Sequence, residues 1–228
     1  MFPSIKECQR RVQVHEYSSF DQFWRYKLNV ERGSSSILDD SHLEETIERL
    51  VKNLLLRDEW QLWWTGIGSM EIIEAILRNN RDDYNIIKPI NLGDGQINRK
   101  STSDALNRLY VGMKGSEYGI THNNHNKDSP DGNGRYYILG RSKILMFLWG
   151  QTPGFDVWLR KGLRRDGLGS SCSWIDENRW TPGQFCDTLK KLDGWVTEWE
   201  KTNGQSFKSL AKYHRPVGRI VDMIYWRQ

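Results

Sequence analysis

The sequence predicts an all-α fold in one helical domain over residues 1–228, on the strength of three apolar stripes with helix period. Leu43, Ile47, Leu50, Val51, Leu54 and Leu55 fall on one helix face. Thr181, Pro182 and Gln184 spell a capped helix start, and Phe185, Leu189, Leu192, Val196 and Trp199 line one side of that helix. Pro216 opens a third stripe of Val217, Ile220, Val221 and Ile224.

Along the chain, Ser41 and Glu44 form a capping box, so the first clear helix is expected over 41–60. Ser69 caps a second, Met70 to Arg78, with Ile72, Ile73, Ile76 and Leu77 inward. A third comes after the Ser/Thr cluster at 101–103 and buries Leu106, Leu109, Tyr110 and Met113. Residues 114–135 are rich in Gly, Asn and Asp and read as a long polar loop. For 136–149, periodicity fits both a hairpin turning at 140–143 and a buried helix starting at Ser142. Asp156 to Arg165 reads as a short helix and Gly167 to Asn178 as a loop. A small sheet around 80–100 or 136–149 is compatible with the pattern, and no repeat or interdomain linker stands out.

Hydrophobic residues make up 37% of the chain, and eleven Trp supply much of the apolar surface for a core. The longest apolar run, Ile144 to Trp149, is far short of the roughly 20 residues a membrane span needs. Residues 1–6 lack the apolar stretch of a signal peptide, so a cytoplasmic protein without membrane contact is expected. Cys8, Cys172 and Cys186 are odd in number and lack metal-ligand spacing, against a disulfide framework or a zinc site. His122 and His125 sit in a polar loop without a Cys or carboxylate at ligand spacing, so no metal or other cofactor is expected.

The net charge is only +4, but the cations gather mid-chain at Arg135, Arg141, Lys143, Arg160, Lys161, Arg164 and Arg165, a face suited to phosphate. Gly140-Arg141-Ser142-Lys143, the apolar run, and Gly150-Gln151-Thr152-Pro153-Gly154-Phe155-Asp156 read together as helix, turn, helix. That order puts two helix N-termini, at Ser142 and Asp156, near each other, and such termini offer unpaired N–H groups to an anion. Asp156 is equally a good plain N-cap.

This order of elements, over about residues 138–165, resembles the helix-hairpin-helix DNA glycosylase superfamily. A Gly-containing hairpin (Gly140 to Lys143), an apolar helix, a Pro-containing turn (Pro153-Gly154-Phe155) and an aspartate heading a basic helix (Asp156, Arg160, Lys161) match that family's sequence of parts. The resemblance implies an all-helical, glycosylase-like architecture acting as a monomer on double-stranded DNA that carries a modified or damaged base. It further implies a monofunctional DNA glycosylase in base excision repair or in defence against modified phage DNA. Asp156 is then the catalytic carboxylate, and Gly140, Arg141, Ser142, Lys143, Arg160 and Lys161 contact the DNA. Lys143 falls closer to Asp156 in sequence than the Schiff-base lysine of bifunctional members does. Three scattered Cys cannot hold the iron–sulfur cluster of some members. A flipped base needs aromatic faces, for which Trp63-Trp64 and Tyr136-Tyr137 are the first choices, and Tyr110 and Trp158 are also available. The rival readings are a non-catalytic DNA-binding module on the same basic segment, and a metal-dependent nuclease built on Asp39-Asp40 or Asp82-Asp83.

Overall fold

The computed structural model describes residues 2–13, 19–52, 70–113, 132–211 and 214–225. Among them are ten α-helices: α1 (Ile5–Gln13), α2 (Ser19–Val30), α3 (Asp40–Leu50), α4 (Met70–Asn79), α5 (Arg81–Ile87), α6 (Lys100–Gly112), α7 (Ile138–Leu148), α8 (Val157–Arg165), α9 (Pro182–Asn203) and α10 (Val217–Tyr225). The mainly helical expectation holds. A two-residue strand, β1 (Tyr136–Tyr137), pairs antiparallel with β2 (Arg179–Trp180), with Tyr136 opposite Trp180. No described helix is long and apolar enough to cross a membrane.

The three stripes bury as their spacing requires. Leu43, Ile47 and Leu50 of α3, Phe185, Leu189, Leu192, Val196 and Trp199 of α9, and Val217, Ile220, Val221 and Ile224 of α10 all join one apolar cluster. The Thr181 box forms in full, Gln184 N–H to Thr181 Oγ1 at 3.1 Å and Thr181 N–H to Gln184 Oε1 at 2.7 Å. α3 starts earlier than its capping box suggests. Asp39 is its N-cap residue, with its carboxylate turned back to the Ser36 amide, and Asp40 pairs with Arg78 and Arg81. Leu54, Leu55, Trp63, Trp64, Ser69, His122, His125 and residues 114–131 of the polar loop lie outside the described residues, as does the side chain of Ile72.

Of the two readings for 136–149, the buried helix forms, starting at Ile138 rather than Ser142, and the turn at 140–143 does not. α7 runs unbroken from Ile138, so Gly140 to Lys143 lie within its first turns. The helix is apolar on every side, and nine of its eleven residues are buried. Tyr137 and the strand pair set its start, where the Ile138 amide donates to Asn178 O at 3.0 Å. Its far end is held by the Tyr84 hydroxyl, shared between Leu148 O (3.1 Å) and the Glu31 carboxylate (2.7 Å). Trp149 Nε1 donates to Ile90 O at 3.0 Å.

Two close contacts seat α10 against this centre. Buried Arg215, just before the helix, clasps Asp21 of α2 through both carboxylate oxygens at 2.8 and 2.7 Å. Gly162 of α8 lies under the Tyr225 ring, where an added Cβ would stand 2.2 Å from Cδ1. The Tyr225 hydroxyl reaches Asp166 at the end of α8, at 2.8 Å.

Gly162→Ala is therefore expected to destabilise the fold by about 1–3 kcal/mol, the usual cost of overpacking a filled core. Gly194→Ala, in exposed mid-α9 with nothing within 4 Å of the new Cβ, should stabilise it by up to about 1 kcal/mol from helix propensity. Thermal melts of the two variants check both; equal melting temperatures would mean that the α8–α10 contact is looser than described.

Candidate active site around Asp156

Asp156 is positioned by the residue before it. Phe155 is fully buried, with ring centroids 4.9 Å from Trp180 and 6.4 Å from Phe185. Its amide donates to Ser142 Oγ at 3.0 Å, while that hydroxyl donates to Leu139 O at 3.1 Å. Ser142, expected at a DNA-facing turn, is instead the buried clip between α7 and the segment leading to Asp156. Asp156 then has extended backbone and caps α8, its Oδ1 accepting from the Leu159 amide at 2.8 Å.

Burial is the largest influence on this carboxyl and raises its pKa above the ordinary value. Lys143 pulls it down, Asp222 of α10 pushes it up, and the Leu159 and Trp158 amides favour the charged form. Lys143, one turn into α7, extends over Gly154, where an added Cβ would lie 2.8 Å from Cε and 3.0 Å from Nζ. The missing side chain at Gly154 thus leaves room for the Lys143 ammonium beside Asp156. Asp222 is 1% exposed; its Oδ2 accepts from Arg219, and its Oδ1 has no hydrogen-bond partner among the described residues. The Thr152 hydroxyl, buried four residues before Asp156, is likewise unpartnered among them. A half-buried carboxylate, an ammonium and two unsatisfied buried oxygens thus lie on the elements that converge here, where buried polar groups are ordinarily paired.

The expected phosphate ligands divide. Arg141 is 0% exposed and donates to Tyr110 O (2.6 Å) and Val111 O (2.8 Å), with its guanidinium 4.5 Å from the Tyr136 ring centre. It caps the carbonyls left over at the end of α6, and no surface remains for a phosphate. Gly140 is buried with it. Arg160 is 6% exposed, and its guanidinium donates to Glu177 O (2.5 Å) and Asn178 Oδ1 (2.6 Å), tying α8 to the segment that caps α7. Lys161 is exposed, as are Arg164 and Arg165 one turn on. With Val157, Arg160 and Asp176 they line an open groove of about 540 Å³. Arg164 pairs there with Asp176, and Arg165 with Asp166 at 3.2 Å.

Tyr136 and Tyr137 are half-buried on β1. Tyr136 carries Arg141 on its face, and burial pushes the Tyr137 hydroxyl up to about 12. Trp63 and Trp64 are outside the described residues. In each adjacent pair of the nuclease reading, one carboxylate is engaged with cations: Asp40 with Arg78 and Arg81, and Asp83 with Arg108 through both oxygens. Among the described residues, no three His, Cys, Asp or Glu side chains gather as a metal site would need. Asp222 was missed by sequence reasoning, although a carboxylate inside an apolar helix such as Val217 to Tyr225 is the signal that would have marked it.

Set beside this geometry, no known protein family, curated protein or solved structure gives a significant match to the chain.

The raised pKa of Asp156 makes a stability prediction. A carboxyl whose folded pKa lies above its unfolded value contributes stability in acid. That contribution is lost as pH rises from the ordinary 3.8 through the folded pKa. Asp156→Asn keeps a capping oxygen without the buried charge, so it should melt at or above the wild-type temperature at neutral pH. The two should converge in acid. A variant that melts lower at neutral pH would show that the charge is stabilising there.

Proposed function

We propose that the chain is a DNA glycosylase of the cytoplasm, hydrolysing the N-glycosidic bond of a modified base flipped out of double-stranded DNA, with Asp156 as its catalytic carboxylate. What carries this reading is a half-buried carboxylate capping the basic helix α8, with the Lys143 ammonium beside it. The resemblance of residues 138–165 to helix-hairpin-helix glycosylases supports it.

The chemistry comes from those groups. As the bond breaks, its electron pair leaves with the base and positive charge grows on the sugar, as in glycoside hydrolysis. A carboxylate fixed by backbone amides, with little water around it, stabilises that charge without reorganising. Water then adds to C1′, and its proton passes to Asp156, whose raised pKa makes it a better acceptor than an ordinary aspartate. That proton goes on to the departed base, so the products are free base and an abasic site, with Asp156 ionised again. Phosphate contact falls to Lys161 and its neighbours Arg164 and Arg165. The Arg–Asp pairs there are surface pairs, each worth little, which phosphate can replace.

The placement of Lys143 favours a second reading, in which the same site also cuts the strand. Once the Lys143 ammonium has given its proton to the departing base, its amine bonds to C1′, and opening of the sugar ring, in which O4′ leaves C1′ as a hydroxyl, gives an imine. Removal of a C2′ proton then expels the 3′-phosphate. Borohydride would trap that imine as a covalent protein–DNA adduct absent from Lys143→Gln.

The test incubates the protein with duplexes carrying assorted modified bases in EDTA, then applies alkali. Alkali-labile sites are expected, and Asp156→Asn should lose release on the order of 10²–10³-fold while still binding DNA. Near-full release by that variant removes Asp156 from the mechanism. Cutting lost in EDTA indicates a nuclease, and binding without release a DNA-binding module.

A further inference from the structure

The first turn of α8 exposes what a folded chain normally hides. Val157 is 45% exposed and Trp158 48%, adjacent to each other and directly after Asp156. By contrast, Trp149 and Trp180 are fully buried, and Trp24 and Trp199 nearly so. Leaving a large flat side chain in water forgoes the stabilisation its burial would bring, and the surroundings of this one are cationic. Lys161, one turn on, holds its ammonium 5.5 Å from the Trp158 ring centre, and Arg164 and Arg165 stand one turn beyond. The run Val157–Arg165 contains no acidic residue. Besides Asp156, its cap, the acids at its rim among the described residues include Asp166, Asp176 and Glu177, of which Asp166 and Asp176 pair with Arg165 and Arg164 and Glu177 pairs with Arg135.

We infer that Trp158 is a stacking platform for an unpaired nucleobase, with Lys161, Arg164 and Arg165 holding that strand's phosphates. This inference rests on the glycosylase reading and deepens it: the substrate is DNA locally opened beside the target nucleotide. Alternating an aromatic face with cations is the chemistry by which proteins hold unpaired strands, because every base offers a π-face and every nucleotide a phosphate. A helix turn rises about 5.4 Å, a step close to the spacing of successive phosphates in an extended strand. The cations at 161 and 164–165 therefore suit neighbouring phosphates, with Trp158 next to the reacting carboxylate. A protein partner on the same face would want its apolar centre ringed by mixed polar groups, whereas the central cation here lies on the ring itself.

The experiment uses the full chain and three fluorescein-labelled probes of one sequence: a perfect duplex, the same duplex with a three-nucleotide mismatch bubble, and the single strand. Affinities are read by anisotropy at fixed salt for wild type, Trp158→Leu and Trp158→Phe, alongside base release from a modified duplex. Trp158→Leu should bind the bubble and the single strand roughly ten- to a hundredfold more weakly, the size of one lost base–aromatic stack. Trp158→Phe should recover most of that, and perfect-duplex affinity and melting temperature should not move. Lys161→Ala should weaken all three probes and flatten the log K against log salt slope by about one. Equal bubble affinity for wild type and Trp158→Leu, with DNA bound and base released normally, overturns the platform and leaves the glycosylase reading standing. If wild type binds none of the probes, both fall, and the exposed edge is left to a protein partner.

Discussion

The burial of α7 on all but the narrow edge at Leu139 and Lys143 is the constraint on which the rest of the fold depends. A helix with so little solvent side must be enclosed by its neighbours, and each polar group it carries inward must find a partner there. Arg141 meets the leftover carbonyls at the end of α6, and Ser142 clips the Phe155 amide. Lys143 slides over the bare backbone of Gly154. Arg141 thus recruits the end of α6, while Ser142 and Lys143 both recruit the segment at 154–155, so the central helix bears on where a neighbouring helix sits and on where the chain re-emerges at Asp156.

The same obligations explain why the region around Asp156 is electrostatically uncomfortable. Asp222 keeps one carboxylate oxygen unsatisfied, Thr152 keeps a hydroxyl unsatisfied, and Asp156 carries a charge that burial disfavours. A core optimised only for stability would remove all three, since paired or absent polar groups cost less than orphaned ones. A carboxylate held at a helix end beside a cation, with such groups on the elements packed around it, is the arrangement by which preorganised sites trade stability for reactivity.

The parts of the fold that can be read from sequence are those where local chemistry has one solution. The Thr181 box, the stripes of α9 and α10, and Asp156 as the cap of α8 appear where spacing puts them. The illegible parts fall into two groups. Where apolar residues surround a helix there is no period, so the start of α7 is invisible, and Gly140 looks like a turn. Short helices such as α1 and α5 carry too few apolar positions to stand out, even where, as in α1, these share one face. In the site, Arg141 and Arg160 look like surface cations in one dimension. Their acceptors are backbone carbonyls and an amide from other segments, which sequence patterns do not reveal. Lys143 reaches Asp156 because the turn at 150–155 doubles the chain back, a closeness in space that their separation in sequence conceals.

The three thiols have a practical meaning beyond the absence of cross-links. Cys8, Cys172 and Cys186 are all buried, and burial raises each pKa, that of Cys8 to about 12. Thiolate, the form that alkylating reagents attack, is therefore scarce at neutral pH. The folded protein thus offers a chemically quiet background: a single cysteine introduced on the outer face of α8 would be the one to accept a maleimide dye or spin label. The orientation of that helix on a bound ligand could then be measured without first stripping the native sulfur from the core.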